Sequence, residues 1–239
     1  VNFVYKNVSS IAISGKGFKS KLKPYVDNDI EFKYLPNWAD NLDLNSKTIR
    51  LGNENKTHFT FAGNIGKVQN LEKIIQAFSL LSIHHQKKAQ LNIIGDGSNL
   101  NNLKKIAQTN KNIVFHGKKK RENMAQYYEA SDFLIVSLID MPIFSVTIPA
   151  KTQTYIAAKK PILAFINGDT AELVQSNSLG KYANPSDIYE MSSVFKECIE
   201  MNIEERMAFV TNHDNLLSTT FNKNKIIDDL LNMLIGKKN

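Results

Sequence analysis

The segment 145–165, SVTIPAKTQTYIAAKKPILAF, decides the fold class of this chain. A loop closes at Pro149, a stretch with a helical pattern follows, and Pro161 opens the apolar run PILAFI. An apolar run of this length between turn signals is typical of a buried strand. The segment therefore predicts a loop, a helix and a strand in succession, which is the repeating unit of an α/β protein.

Apolar runs of strand length recur on both sides of this unit and alternate with helical patterns. The clearest helix places Leu71, Ile74, Ile75, Phe78 and Leu81 on one face. Further helices are predicted near 100–107 and 188–199. The predicted strands are 10–14, 59–63, 90–95, 112–117, 132–138, 161–166 and 181–183. This alternation predicts an α/β fold with a doubly wound, Rossmann-like parallel sheet.

The length of 239 residues corresponds to one domain plus a fragment, or to two small domains. The polar, Asn-rich stretch 36–56 has almost no periodicity and is predicted to be an interdomain crossover. Residues 1–38 are interpreted as the remnant of an amino-terminal domain with its linker, 39–221 as the Rossmann-like domain and 222–239 as a carboxyl-terminal helix. Because the chain starts at Val1 rather than Met, we expect further sequence upstream.

Composition excludes several classes of protein. Hydrophobic residues make up 42% and charged residues 22%, so the chain is globular rather than disordered or fibrous. The net charge of +7 suits phosphorylated small molecules, anionic lipids or nucleic acid. The basic run 118–121, KKKR, lacks interleaved aromatic residues, which argues against nucleic acid and favours a solvated turn. The single cysteine, Cys198, has apolar neighbours and indicates a reducing compartment, so we expect a cytoplasmic protein.

Four loops follow predicted strands and should meet at one edge of a parallel sheet. The first, AGNIGKVQNL, has Gly63 and Gly66 to let the backbone approach a ligand, and Lys67 to add charge. A helix that opens near Val68 would direct free N–H groups at a phosphate. The loop matches neither the GK[ST] ending of a phosphate-binding loop nor the GxGxxG dinucleotide pattern.

Two further loops carry less specific signals. In IIGDGSNL, Gly95 and Gly97 flank Asp96, and turn chemistry explains most of this pattern. In FHGKKKRENMAQYY, His116 is predicted to be a structural residue at the end of a strand, because no serine, cysteine or paired carboxylate lies near it.

The fourth loop is the most specific. Residues 149–162, PAKTQTYIAAKKPI, resemble the donor-binding motif of family 4 glycosyltransferases of the GT-B fold, in particular those of the bacterial capsule and O-antigen type. SGKGF, YLPNWAD, FTFAGNIGKVQNLEKIIQAF, LNIIGDG and NIVFHGKKKRENMAQYYEASDFLIVS resemble other parts of these enzymes in the same order. The similarity covers nearly the whole chain and implies a carboxyl-terminal donor-binding domain with a remnant of the amino-terminal domain.

The resemblance also implies a donor site. It places the first loop against the donor diphosphate, residues 117–118 beside the base and residues 147–151 at the phosphates and sugar. The catalytic base and the acceptor site would lie upstream of the chain. The implied donor-binding residues are Gly63, Asn64, Gly66, Lys67, Gly95, Gly117, Lys118, Thr147, Ile148, Pro149, Ala150, Lys151 and Thr154.

The chain departs from the family pattern at several of these positions. Val146 and Thr154 stand where many members have two glutamates, the later of which holds the ribose hydroxyls. A threonine has a single hydroxyl and cannot accept hydrogen bonds from both groups of a diol as the two oxygens of a carboxylate do. Lys159 replaces an expected glycine, and Gln69 a frequent basic residue. Lys67 and Lys151 are therefore the predicted cationic partners of the diphosphate.

The resemblance implies a retaining glycosyltransferase that takes sugar from a UDP-linked donor to a polysaccharide or lipid-linked acceptor in bacterial surface-glycan biosynthesis. We expect no metal and no cofactor, because fixed protein charges would stabilise the leaving group. The expected partners are the nucleotide sugar, the missing amino-terminal acceptor domain and, through a lipid-linked acceptor, the inner face of the membrane. The fragment alone should bind donor but hardly transfer sugar.

Two alternatives to this function stay open. Val146 and Thr154 also suit a degenerate, non-catalytic GT-B module. A sugar-nucleotide epimerase of related fold would need carboxylates and histidines at the cleft, which the sequence does not offer.

The position of the tail helix is open as well. Its apolar face could pack on an amino-terminal domain, as in the family, or cap the sheet of this domain. Asp228 and Asp229 disfavour a position in the plane of a membrane.

Overall fold

The computed structural model describes residues 2–27, 29–39, 42 and 49–235. Two parallel sheets are present in this part of the chain. The small sheet pairs β1 (Ser10–Ile13) with β2 (Glu31–Tyr34). The large sheet has the order β5-β4-β3-β6-β7-β8. Its strands are β3 (Thr57–Ala62), β4 (Ala89–Ile94), β5 (Ile113–Gly117), β6 (Phe133–Ser137), β7 (Ile162–Phe165) and β8 (Gly180–Tyr182).

The α/β prediction is confirmed, and each predicted strand lies within about two residues of an observed one. Strand β2 was not predicted, because it has four residues and only one partner strand. The helices are α1 (Asn2–Lys6), α2 (Phe18–Leu22), α3 (Leu71–Ser79), α4 (Ile83–Lys87), α5 (Leu100–Ala107), α6 (Met124–Glu129), α7 (Ala150–Ala157), α8 (Asp169–Ser176), α9 (Ile188–Glu200), α10 (Ile203–Ala208), α11 (His213–Ser218) and α12 (Lys223–Leu234).

The helix predicted to open near Val68 begins later. Lys67–Gln69 form a single 3-10 turn, and Asn70 then takes a left-handed conformation with φ of 58° before α3 starts at Leu71. A residue in this conformation interrupts a right-handed helix. The N–H groups and dipole of α3 therefore begin farther along the chain than the glycine spacing suggests.

Helices cover both faces of the large sheet. On one face, α3, α5 and α9 enclose an aromatic core in which the rings of Phe59 and Phe195 meet edge to face with centroids 4.9 Å apart. On the other face, α7 and α11 pack over β6 and β7 around the fully buried Tyr155. Burial of apolar area on both faces explains why the strands read as continuous hydrophobic runs.

The order of the strands creates a split at the centre of the sheet. The chain runs outward from β3 to β4 and β5 and then returns to β6 on the other side of β3. Strand β3 pairs with β4 over its full length, but with β6 only at Phe59 and Thr60. Among the described residues, Phe61 and Ala62 at the carboxyl end of β3 therefore have no ladder partner on the β6 side. A split of this kind in a doubly wound sheet is where such folds bind ligands.

At the opposite end of the sheet, where the strands begin, an ion pair joins α10 to β3 and β6. Arg206 donates to Asp132 Oδ1 over 2.8 Å and to Thr57 Oγ1 over 3.0 Å, while Asp132 Oδ2 accepts from the His58 N–H over 2.7 Å. Both side chains are largely buried, with 19% and 32% of their surface exposed. The pair thus fixes the amino-terminal ends of both central strands.

We expect Arg206→Met to lower the free energy of unfolding by about 2 kcal/mol, because the substitution leaves the Asp132 carboxylate without a cationic partner in a half-buried site. Urea denaturation followed by circular dichroism measures this loss. The matched control is Arg50→Met, which breaks the exposed Arg50–Glu54 pair and should cost less than about 0.5 kcal/mol. Equal losses for the two variants would contradict the structural role of Arg206.

The amino-terminal segment and the tail helix contact the main domain and each other. The Gly17 N–H donates to Asp169 Oδ2 over 2.8 Å, which joins the loop after β1 to the start of α8. The Lys223 amine lies 5.5 Å from the centroid of the Trp38 ring, at the start of α12. In α12, Ile226 is buried while Leu231 is 51% exposed. The predicted continuation of this helix over 236–239 lies outside the described residues.

In the part of the chain that the structure describes, no helix combines the length and apolar character needed to span a bilayer. Cys198 is buried on α9, as the sequence predicts, and burial raises the pKa of its thiol to about 12.

Candidate functional site

An open cleft of about 790 Å³ lies at the carboxyl ends of β3, β4 and β5. It is bounded by the loops that follow these strands and by α6. Its walls are formed by Ala62, Gly63, Asn64, Ile94, Gly95, Asp96, Gly97, Lys118, Lys119, Arg121, Met124 and Tyr128. Three of the four loops singled out in the sequence therefore meet in one cleft.

The first two loops are joined directly by main-chain hydrogen bonds. The Ile65 N–H donates to the Asp96 carbonyl over 2.8 Å, and the Asn99 N–H donates to the Ile65 carbonyl over 2.9 Å. The close approach depends on Gly95, whose φ is +143°, because a Cβ there would lie 1.8 Å from the Gly63 carbonyl oxygen. This glycine therefore brings two loops together rather than bringing a loop to a ligand.

Most glycine amides in these loops already have partners. Gly63 donates to Ile94, Gly95 to Gly117 and Gly97 to its neighbour Asp96. The Gly66 N–H donates to Gln69 Oε1 over 2.9 Å. The side chain of Gln69 therefore occupies the Gly66 amide, and the role of this backbone toward a ligand stays a prediction.

Other main-chain N–H groups at the carboxyl end of the sheet remain free to bind a ligand. Among the described residues, the N–H groups of Asn64, Asp96, Ala150 and Lys151 have no hydrogen-bond partner. Asn64 and Asp96 follow β3 and β4, and Ala150 and Lys151 form the first turn of α7. Unpaired N–H groups at strand ends and at the start of a helix are suited to an anion.

Lys151 approaches the end of β3 from α7, beside Gly63 of the cleft wall, although it is not itself among the described residues that line the cleft. Its amine lies 3.9 Å from the centroid of the Phe61 ring and 3.0 Å from where a Cβ on Gly63 would be. No carboxylate pairs with it within the described ranges. Burial lowers the pKa of Lys151 to about 7. A desolvated, unpaired cation at the end of a β-strand can recover the lost interaction energy by binding an anion.

A basic wall faces this end of the cleft. Lys118, Lys119 and Arg121 line it, and the Lys119 amine lies 5.6 Å from the centroid of the Tyr127 ring. The KKKR run is solvated at Lys118, Lys120 and Arg121, and three of its four residues also line the open cleft. Lys120 alone points outward, where it pairs with Glu122 over 3.6 Å. The wall makes the cleft attractive to an anionic ligand.

The fourth loop supplies less of the site than the sequence implies. Ile148 is buried and lines a separate cavity of about 440 Å³, together with Lys16 and Asp169. The Thr147 hydroxyl donates to the Ile143 carbonyl over 2.8 Å. Pro149 precedes α7 as its N-cap residue. The Thr147 carbonyl accepts from Thr170 Oγ1 over 2.9 Å, which joins this loop to α8, whereas the Lys151 amine reaches the Phe61 ring of β3.

Three further predicted residues lie outside the walls of the cleft. Lys67 is exposed on the 3-10 turn, and Gly117 precedes the basic wall with a carbonyl that accepts the Gly95 N–H. The Thr154 hydroxyl donates to the Ala150 carbonyl over 3.2 Å. The Thr154 hydroxyl can thus accept a hydrogen bond from a ligand, but its one hydroxyl proton is already donated to the Ala150 carbonyl.

Sequence reasoning did not assign eight residues of the cleft wall to the site: Asp96, Gly97, Met124, Tyr128, Ala62, Ile94, Lys119 and Arg121. The first two belong to a loop that was attributed to turn chemistry, and Met124 and Tyr128 lie on a six-residue helix without distinctive periodicity. Burial raises the pKa of Tyr128 to about 12, so its hydroxyl stays protonated. His116 is a structural residue, as predicted, because its Nε2 bonds to Asn92 Oδ1 over 2.9 Å.

The described part of the chain contains no group of three His, Cys, Asp or Glu side chains that could hold a metal ion. Within the same described part, the walls of the cleft contain one carboxylate, that of Asp96, and no histidine.

Comparison with known proteins gives consistent results. The family model for glycosyl transferases group 1 matches residues 31–215. A probable glycosyltransferase of Pseudomonas aeruginosa, WbjE, is 23% identical over 213 residues, which are 84% of this chain and 52% of that protein. The chain therefore spans about half the length of this curated relative.

Solved structures show the same fold at low sequence identity. A glycosyltransferase of Rickettsia africae has a TM-score of 0.80 at 15% identity, over 100% of this chain and 67% of that one. HepE of Anabaena, solved with UDP-glucose, has a TM-score of 0.78 at 14% identity, over 99% of this chain and 66% of that one. Together, the family match and the six-stranded parallel sheet show that this chain belongs to the glycosyl transferases group 1 and contains the Rossmann-like domain of a GT-B glycosyltransferase.

Proposed function

We propose that this chain is the donor-binding half of a glycosyltransferase, which holds a UDP-sugar by its diphosphate in the cleft at the ends of β3 and β4. The observation that carries the proposal is the unpaired, desolvated amine of Lys151, which lies beside Gly63 among unpaired main-chain amides. HepE, which shares the fold, was solved with UDP-glucose. The whole protein would transfer the sugar to a polysaccharide or lipid-linked acceptor in bacterial surface-glycan biosynthesis.

The site would act mainly on the leaving group. When the bond between the sugar carbon and the diphosphate oxygen breaks, its electron pair stays on the oxygen and negative charge grows there. Lys151 and the amides of Asn64 and Ala150 would stabilise this charge without reorganising, which lowers the barrier. The acceptor hydroxyl would attack the sugar carbon with retention of configuration. Its proton would pass to a group outside this chain, so the chain alone should bind donor without transferring sugar.

Thermal denaturation with UDP-, GDP- and dTDP-sugars tests this function. A ligand that binds only the folded state raises the melting temperature by mass action. We expect UDP-sugars at 1 mM, about tenfold above an assumed dissociation constant of ~0.1 mM, to stabilise the chain by roughly 1.4 kcal/mol. Uridine at the same concentration should have no measurable effect, because it lacks the diphosphate. No stabilisation by any nucleotide sugar, in a chain shown to be folded, would contradict the proposal.

The degenerate, non-catalytic module remains the second candidate, since Val146 is buried and the Thr154 hydroxyl bonds to its own helix. If the site keeps its affinity, a carboxylate at position 154 should improve it. We expect Thr154→Glu to raise the affinity for UDP by about fivefold and to leave the affinity for 2′-deoxy-UDP within about twofold, because only UDP offers a ribose diol. Isothermal titration calorimetry measures both ligands, and Thr154→Gln is the control.

Equal gains for UDP and 2′-deoxy-UDP would show that residue 154 does not face the ribose. No measurable heat with UDP in either form of the protein would favour the non-catalytic module.

The affinity for UDP should depend on pH through Lys151. Its free pKa is about 7, and a bound diphosphate would raise it, so binding above pH 7 requires uptake of a proton. The affinity should therefore fall as the pH rises, by about tenfold between pH 7 and 8.5. The phosphates of UDP, with pKa values near or below about 6, stay ionised over this range.

Other titratable groups near Lys151 do not reproduce this dependence. Burial raises the pKa of both Tyr128 and Tyr155, so these hydroxyls stay neutral. Asp96 and the basic wall complete the set of charged groups in the cleft. Calorimetry at three pH values between 7 and 8.5 is the test, with Lys151→Met as the control that should show a flat profile. A wild-type profile as flat as that of Lys151→Met would refute the role of this amine.

A further inference from the structure

The split between β3 and β6 is filled by two side chains of α7. Lys151 and Tyr155 are four residues apart on this helix and therefore share one face. The Tyr155 hydroxyl donates to the Ala62 carbonyl and accepts from the Ala62 N–H, both over 3.3 Å. One turn earlier on α7, the Lys151 amine lies against Gly63, the residue that directly follows Ala62 at the end of β3.

The hydroxyl of Tyr155 takes the place of a strand. Ala62 is paired with β4 in register, but the pairing of β3 with β6 ends at Thr60, so within the described ranges no strand pairs with Ala62 on that side. An unpaired N–H and C=O at a fully buried position would be costly, and Tyr155 is fully buried. The single hydroxyl satisfies both groups and keeps the two strands apart at this level.

We propose that Tyr155 is a positioning residue of the donor site, whose hydroxyl holds the end of β3 away from β6 so that the Lys151 amine is kept against Gly63 and the Phe61 ring. The inference rests on the proposed function, because it concerns how the diphosphate-binding amine is placed. Without the hydroxyl, Ala62 would have to find another partner, and the strand end that supports Lys151 would shift. Tyr155 would thus act on the ligand through Lys151 and not by contact.

The ring of Tyr155 is itself held in place. Tyr128 of α6 meets it edge to face, with centroids 5.5 Å apart, and Tyr128 is also part of the wall of the cleft. Phenylalanine keeps this ring contact and the buried volume, so Tyr155→Phe removes the hydroxyl alone.

The test is a double-mutant cycle for UDP binding by calorimetry. We expect Lys151→Met to weaken binding about 30-fold and Tyr155→Phe about tenfold. If Tyr155 acts through Lys151, the double variant should be no weaker than Lys151→Met alone. Independent effects would multiply to about 300-fold, and that result would overturn the proposal. The control Tyr182→Phe, which breaks a hydroxyl bond to Asn167 far from the cleft, should leave binding unchanged.

A second readout separates positioning from a loss of stability. In wild type, the affinity for UDP should fall between pH 7 and 8.5, whereas in Tyr155→Phe a displaced, solvated amine should give a nearly flat profile. A variant that merely unfolds more easily would keep the wild-type profile. If Tyr155→Phe does not fold, the Ala62 amide resonance decides the question, since it should shift both in Lys151→Met and when UDP binds wild type. An Ala62 resonance unmoved by both would overturn the coupling.

The outcomes also separate the positioning role of Tyr155 from the proposed function, the binding of a UDP-sugar, on which it rests. Absence of UDP binding by the wild-type chain would defeat both. Binding by wild type, together with multiplied losses in the cycle, would defeat only the positioning role of Tyr155.

Discussion

Replacing Lys151 by methionine should weaken UDP binding by about 30-fold. Methionine keeps most of the apolar stem but removes the charge that lies over the Phe61 ring, so the change isolates the electrostatic contribution. A charge-assisted hydrogen bond in a desolvated site contributes roughly 2 to 3 kcal/mol, which corresponds to this factor. Isothermal titration calorimetry at pH 7 gives the dissociation constants directly.

The matched control is Lys67→Met. Lys67 was the other lysine predicted to contact the diphosphate, but it is exposed on the 3-10 turn. An exposed charge acts through solvent and is screened, so we expect a loss of about threefold or less. If Lys67→Met has the larger effect, the diphosphate lies nearer the 3-10 turn than the end of β3, and our placement of the ligand is wrong.

Replacing Gly95 by alanine should abolish UDP binding and lower the free energy of unfolding by about 3 kcal/mol or more. The added Cβ would lie 1.8 Å from the Gly63 carbonyl oxygen, and this contact is with backbone, which cannot turn away as a side chain can. The end of β3 would have to move, together with the hydrogen bond between Ile65 and Asp96. Urea denaturation and calorimetry measure the two effects.

Gly117 provides the control for this substitution. Its φ of +67° is also unfavourable for alanine, but a Cβ there would meet nothing within 4 Å. Gly117→Ala should therefore cost only the conformational strain, about 1 to 2 kcal/mol, and should leave UDP binding within about fivefold. Similar losses of binding in the two variants would mean that strain, and not the contact between the two loops, controls the site.

The fold could be predicted from the sequence because its signals are local. Runs such as FLIVS and ILAF are buried on both faces, and prolines and glycines mark their ends, so pattern alone places the strands. The apolar face of α3 is equally clear. Strand β2 was missed because its pairing partner, β1, lies about twenty residues away and its alternating run, EFKY, is only four residues long.

The site was predicted only in part, because its details depend on contacts between loops. Spacing of glycines cannot show that Gln69 occupies the Gly66 amide, or that Ile148 turns into another cavity. In the basic run KKKR, family resemblance assigned only Lys118 to the site, and nothing in the sequence showed that Lys119 and Arg121 also line the cleft, since a run of charge is usually solvated. Lys151 was identified from family resemblance, but its contact with Phe61 follows from the split between β3 and β6, which is a property of the topology.

We expect the unpaired amides at the ends of β3 and β4 and at the start of α7 to bind a diphosphate together with Lys151. Amide chemical shifts of the ¹⁵N-labelled chain, recorded during titration with UDP and with uridine, report on these groups one by one. We expect saturable shifts at Asn64, Asp96, Ala150 and Lys151 with UDP, much smaller shifts at these residues with uridine, and no change at Gly180 on the far edge of the sheet. Shifts confined to other residues, or equal shifts with uridine, would contradict it.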